Sequence, residues 1–260
     1  MVVTVLSGCL GRVARVRVTL CYAAVVAAVT TVMVDMTPRV QAAVIRHMST
    51  NLHNLSHGRI GTLVGSAFVV DAGPLYLWLP GLICLLAAAE LAWGSRALAI
   101  AAALGHIGAS LLVAAGLTVA VTFGWIARSV ARDPDVGMSY VAMAVLGMLT
   151  GAMPARWRAA WAVWWIIVAA VVVAGGPDFT DVGHLLALVL GMMASVRFGK
   201  ARAWTTPMVV LLAVGAAFGF LVLANDAVSM VSCVAWGAFG ALVCLGLARL
   251  RAPAASELVR

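Results

Sequence analysis

Asp135-Val136-Gly137-Met138-Ser139-Tyr140 opens a run that stays apolar to Met153 and stops at Pro154. No charged side chain falls between Val136 and Met153. As an α-helix this run would rise about 27 Å, close to the thickness of a bilayer's hydrocarbon core. It is therefore predicted to cross a membrane. Working outward, seven more stretches read the same way: 17–35, 74–93, 97–124, 158–175, 181–197, 206–224 and 228–248. Helix breakers or charges separate them, including Gly94-Ser95-Arg96, Asp133-Pro134-Asp135, Gly175-Gly176-Pro177 and Asn225-Asp226.

Composition agrees. The chain has 260 residues, 64% of them apolar and only 10% charged, and its mean hydropathy is +1.09. A soluble domain carries about 25% charged residues. These values exclude a water-soluble domain, a disordered chain and a nucleic-acid binder. They predict an all-α, polytopic transmembrane helical bundle of about eight spans in contact with the lipid bilayer. The formal net charge of +8 reads as topology. With the N-terminus inside, the inner segments hold Arg12, Arg15, Arg17, Arg96, Arg156, Arg158, Arg197, Lys200, Arg202, Arg249, Arg251 and Arg260; the outer ones hold Arg39, Arg46, Arg59, Arg128 and Arg132. Basic residues concentrate on the cytoplasmic side, so both termini are expected there, in a multi-pass protein of the cell membrane.

The expected organisation follows from these spans. Residues 1–16 form a cytoplasmic N-terminus, 17–197 a six-helix core with an external loop over 36–73, 198–250 two additional helices, and 251–260 a cytoplasmic tail. Residues 60–70 are apolar but too short to cross, which suits an interfacial or re-entrant piece. Leu6-Ser7-Gly8-Cys9 has the look of a lipoprotein cleavage box, but no basic residue precedes it, and it is read as a chance match. The cysteines at 9, 21, 84, 233 and 244 have no metal-ligand spacing and read as small buried hydrophobes.

Polar side chains inside a membrane are costly unless partnered. Glu90 is expected to pair with Arg96. Ser139 and His184 are placed alike: each follows an aspartate, Asp135 or Asp181, near the outer start of a span running inward. The common depth would let hydroxyl and imidazole meet. A histidine at hydrogen-bond distance can take a serine's proton and return it to a leaving amine. The two aspartates read as helix N-caps, with Asp181 also placed to orient His184 three residues on. His106, deeper in the third span, reads as a helix–helix hydrogen bond. His53 and His57 would share a helix face; with no third ligand, no metal is expected. No phosphate-binding glycine motif occurs, and no cofactor is expected. The spans show no inverted repeat of the kind transporters carry.

The order of these motifs resembles the rhomboid intramembrane serine proteases, in particular divergent actinobacterial rhomboid-like membrane proteins. Gly137-x-Ser139 opens the fourth span and His184 lies near the start of the sixth. Gly61-Thr62-Leu63-Val64-Gly65-Ser66-Ala67-Phe68 is similar to the family's interfacial segment. Glu90 followed by Gly94 is similar to the turn ending its second span. His184, Ala187 and Gly191 resemble its small-residue face, with Ala187 where the family has Gly. The resemblance covers about 17–197. It implies a six-span core in which Ser139 is the nucleophile and His184 the base. The Ser139 backbone N–H, with Gly137 and Tyr140 around it, would supply part of an oxyanion hole. The substrates would be transmembrane helices of other membrane proteins, cut near the outer face. Three departures stand against this. Tyr140 replaces a Gly, Met143 replaces a Tyr, and the second span holds no His or Asn to help stabilise an oxyanion, an accessory role left open to His106, His53 and His57. They imply the alternative, a pseudoprotease that binds helices without cutting them. Either way the oligomeric state is left open.

Overall fold

The computed structural model describes residues 14–70, 73, 75–176 and 178–251. Cys9 with the segment around it, Asp71, Pro74 and the tail from 252 lie outside the described residues. Among the described residues the chain forms α-helices and short 3₁₀ turns, with no strand. The helices are α1 (Arg17–Val34), α2 (Pro38–Met48), α3 (Leu52–Ser56), α4 (Thr62–Gly65), α5 (Leu75–Trp93), α6 (Ser95–Thr122), α7 (Ser139–Met148), α8 (Ala155–Gly175), α9 (Phe179–Ser195), α10 (Thr206–Leu223) and α11 (Ala227–Arg251).

All eight expected spans are helices, and the protein is a multi-pass membrane bundle. Six of them are long and apolar enough to cross a membrane. The other two, Ser139–Ala152 (α7 with its 3₁₀ extension) and α9, are shorter apolar helices. These two carry Ser139 and His184. Every residue of α7 from Tyr140 to Met148 is buried, because α9, α6, α5 and α10 pack around it. A helix apolar on all sides is what such a central position requires.

The close approach of α7 and α9 depends on glycines from both helices. A Cβ on Gly191 of α9 would collide with the backbone carbonyl of Ala144 on α7, and one on Gly147 with the carbonyl of Leu188. Small residues let helix backbones meet where lipid gives no hydrophobic drive for association. Gly94, at φ 88°, makes the sharp reversal between α5 and α6 that an L side chain resists.

Glu90 is fully buried, but its partner is not Arg96. Its carboxylate accepts from the backbone N–H groups of Val18 (3.0 Å) and Thr19 (2.8 Å), from the Thr19 hydroxyl (2.7 Å) and from the Ser95 hydroxyl (2.6 Å). It thus caps the start of α1 from the neighbouring α5. The first N–H groups of a helix have no partner within it, and an anion there is favoured.

The long segment between α1 and α5 folds down onto the start of α7. Thr50 N–H donates to Asp135 O (2.9 Å), Asp135 N–H to Ser49 Oγ (2.7 Å), and Gly137 N–H to Ser66 O (2.9 Å). Residues 60–70, expected at the interface, form α4 and a 3₁₀ turn over Ser66–Phe68. At the opposite end, residues 196–205 tie α9 to the bundle before α10 begins. Arg202 N–H donates to Ala92 O (2.9 Å) and Trp204 Nε1 to Ala152 O (2.8 Å).

Candidate functional site

The site is built where α7 starts beside α9. Gly137, at φ 128°, turns the chain into α7, and Ser139 is the first helical residue. Asp135 is not the N-cap expected of it. It lies before that turn, buried, with its backbone held by Ser49 and Thr50. Asp181 is not a cap either. Asp178 caps α9 by accepting from Thr180 N–H (2.9 Å), which leaves Asp181 within the first turn.

Helical register decides which α7 side chain meets His184. Successive residues are about 100° apart around a helix, so positions 140, 144 and 147 share one face. That face is turned to α9: Tyr140 lies against Gly183 and His184, Ala144 against Gly191, and Gly147 against Leu188. The rings of Tyr140 and His184 are 5.5 Å apart, edge to face. Ser139 belongs to the next face, in register with Met143 and Leu146, both of which approach Gly219 of α10. Ser139 and His184 share no hydrogen bond, and both buried ring nitrogens of His184 are without one. Asp181 Oδ1 stands 3.7 Å from His184 Nδ1. Ala187 and Gly191 are buried on the same side of α9 as His184.

Tyr140 also lies near His106, ring centroids 6.1 Å apart, so the phenol stands between two buried imidazoles. Burial pushes the Asp135 carboxyl up to about 6; the nearby Tyr140 hydroxyl opposes the rise and the negative charge of Asp178 adds to it. That hydroxyl comes close to Asp135, yet makes no hydrogen bond of good geometry.

His106 serves the long segment rather than another helix. Its Nε2 is 3.0 Å from Ser66 Oγ, Ser66 Oγ is 2.6 Å from Thr50 Oγ1, and the Thr50 hydroxyl donates to Thr62 O (2.7 Å). Ser66 is completely buried. This buried serine–histidine pair pins the segment to α6. Sequence reading passes over Ser66 because a small residue in an apolar run has no local mark; only the fold of 49–66 brings it to His106. His53 and His57 do share a face, with ring centroids 4.3 Å apart. Among the described residues no group of three His, Cys, Asp or Glu is placed to hold a metal ion.

A family model described as rhomboid-like protein matches residues 12–203, ending just before α10. No curated protein matches the chain, and no solved structure does.

Proposed function

We propose, starting from the chain's membership of the rhomboid-like family, that it holds transmembrane helices of other membrane proteins without cutting them. One observation carries this reading: the α7 side chain that meets His184 is Tyr140, and Ser139 lies a face away. A serine is a poor nucleophile until a base at hydrogen-bond distance takes its proton. The absence of His and Asn from α5 supports the same conclusion, since losing one oxyanion donor costs about 10²–10³ in rate. The excess of basic residues on the segments at one end supports a cell-membrane protein with both termini cytoplasmic.

A second reading keeps the protease. Asp181 stands 3.7 Å from His184 Nδ1, an arrangement suited to orienting a base. Ser139 Oγ would then attack a scissile carbonyl while His184 took its proton. His184 would return that proton to the leaving amine, water would release the acyl group, and the backbone at Gly137–Tyr140 would face the oxyanion. Fluorophosphonate labelling of purified wild type, Ser139→Ala and His184→Ala in detergent separates the two. The helix-holding reading expects no label on any of them, beside an active serine hydrolase that labels in the same detergent. It also expects equal capture of co-expressed membrane helices by wild type and Ser139→Ala. Label on the wild type that disappears in both variants would establish the protease instead.

A further inference from the structure

Charge at the end of the bundle bearing the long segment gathers in one place. Arg46, His47, His53, Arg59 and Arg132 line a cavity of about 400 Å³ between the α2–α3 region and the 3₁₀ turn over Arg128–Arg132. His53 and Arg132 also line an adjoining cavity of about 550 Å³, together with Arg128, Ser129 and Thr118. Four of the five arginines expected at this end, Arg46, Arg59, Arg128 and Arg132, therefore line two adjacent hollows. No carboxylate among the described residues lines either one. Among the described residues the one contact of a basic side chain with a carboxylate within 4.0 Å is His184 with Asp181, elsewhere in the molecule.

The floor is built rather than incidental. Asn54, buried, donates through Nδ2 to Arg46 O and Ser49 O, both at 2.8 Å. Asn51, also buried, donates to Arg132 O at 3.2 Å, fixing the second wall to the first. The Arg59 guanidinium is steadied by Asn54 Oδ1 and His47 Nδ1, each at 3.3 Å. His53 is held below the ordinary imidazole range, first by desolvation and then by the positive charge of His57, Arg132 and Arg59. Like charges gathered without a counter-charge repel, and an anion among them relieves that repulsion.

We propose that these adjacent cavities, which share His53 and Arg132, bind a phosphate-class anion, presented in the membrane as the headgroup of an anionic phospholipid. Arginine forks match phosphate oxygens two at a time. Depth supports the lipid as the source. Thr118 is in the last turns of α6, and beyond it Phe123 and Trp125 stack on one another, 69% and 73% exposed. Exposed aromatic rings of this kind mark the level of lipid headgroups.

The test is a thermophoresis titration of the full chain in detergent with dioctanoyl phosphatidylglycerol, dioctanoyl phosphatidylcholine and inorganic phosphate. Phosphatidylglycerol is expected to bind saturably, and Arg132→Gln and Arg46→Gln each to weaken it about tenfold. Arg156→Gln, at the opposite end, should leave it unchanged. Arg46 and Arg132 are exposed and neither side chain makes a hydrogen bond among the described residues, so unliganded melting of these variants should match wild type. Phosphate binding as tightly as phosphatidylglycerol would support the anion site and make the free ion its ligand; much weaker phosphate binding would support the lipid. Equal binding of the two lipids, or affinity indifferent to Arg46 and Arg132, would overturn the proposal.

Discussion

Asp135 is a carboxyl group buried beside Tyr140, and its titration should be visible in stability. Its ordinary value of 3.8 is raised to about 6, chiefly by burial. Below pH 3.8 the group is protonated in both folded and unfolded chains and costs nothing. Between 3.8 and 6 the folded chain binds the extra proton, so stability falls as pH rises, and above 6 the full cost persists. A rise of that size corresponds to on the order of 3 kcal/mol. Asp135→Asn should therefore melt higher than wild type at pH 7.5 and alongside it at pH 4, by thermal scans in detergent. Equal pH slopes for the two proteins would refute this assignment. Ser139 and His184 show how far residue-scale reading reaches. Counting residues from each span start predicts a common depth. Depth leaves out azimuth, and one residue of register puts Tyr140 where Ser139 is expected. The aspartates mislead as caps for a related reason: each helix begins away from its conspicuous acid, at Ser139 after Gly137 and at Phe179 after Asp178.

Helix positions are legible because apolar runs bounded by Pro, Gly and charge leave few alternatives. The predicted ends fall within about three residues of most of those observed. What sequence does not show is which faces meet, since a helix apolar all round has no amphipathic stripe to read. Glycines supply part of that information. Gly191 and Gly147 hold α7 against α9 with backbone atoms where a Cβ would stand. Gly191→Ala would force the two helices apart and should cost about 1–3 kcal/mol, as overpacking does. Gly116 of α6 has open space where a Cβ would point, with nothing within 4 Å, so Gly116→Ala should be neutral or slightly stabilising. Chemical unfolding of the two variants side by side checks the contrast; equal losses would show that the α7–α9 contact is softer than its geometry.

At the scale of the whole molecule, α10 and α11 both lie beyond the family match, which ends at residue 203, yet they relate to the bundle differently. Helix α10 is built into it. Gly215 sits on the backbone of Leu85, Phe218 on Gly81, and Gly219 on Leu146, covering the α7 face to which Ser139 belongs. Helix α11 packs along α8 and leaves large side chains such as Trp236, Phe239 and Leu242 exposed, as a lipid-facing helix should. Lipid tails are as apolar as leucine, so a helix is retained by close packing rather than by water exclusion. A chain ending at Asp226 should therefore remain monodisperse in detergent and melt within about 5 °C of the full chain. A chain ending at Gly199 strips the cover from Leu85, Met143 and Leu146, all fully buried in the intact protein, and should melt at least about 10 °C lower or aggregate. Size-exclusion profiles and thermal scans of the two truncations decide it: comparable behaviour would mean that α10, like α11, is an addition to the bundle and not a wall of it.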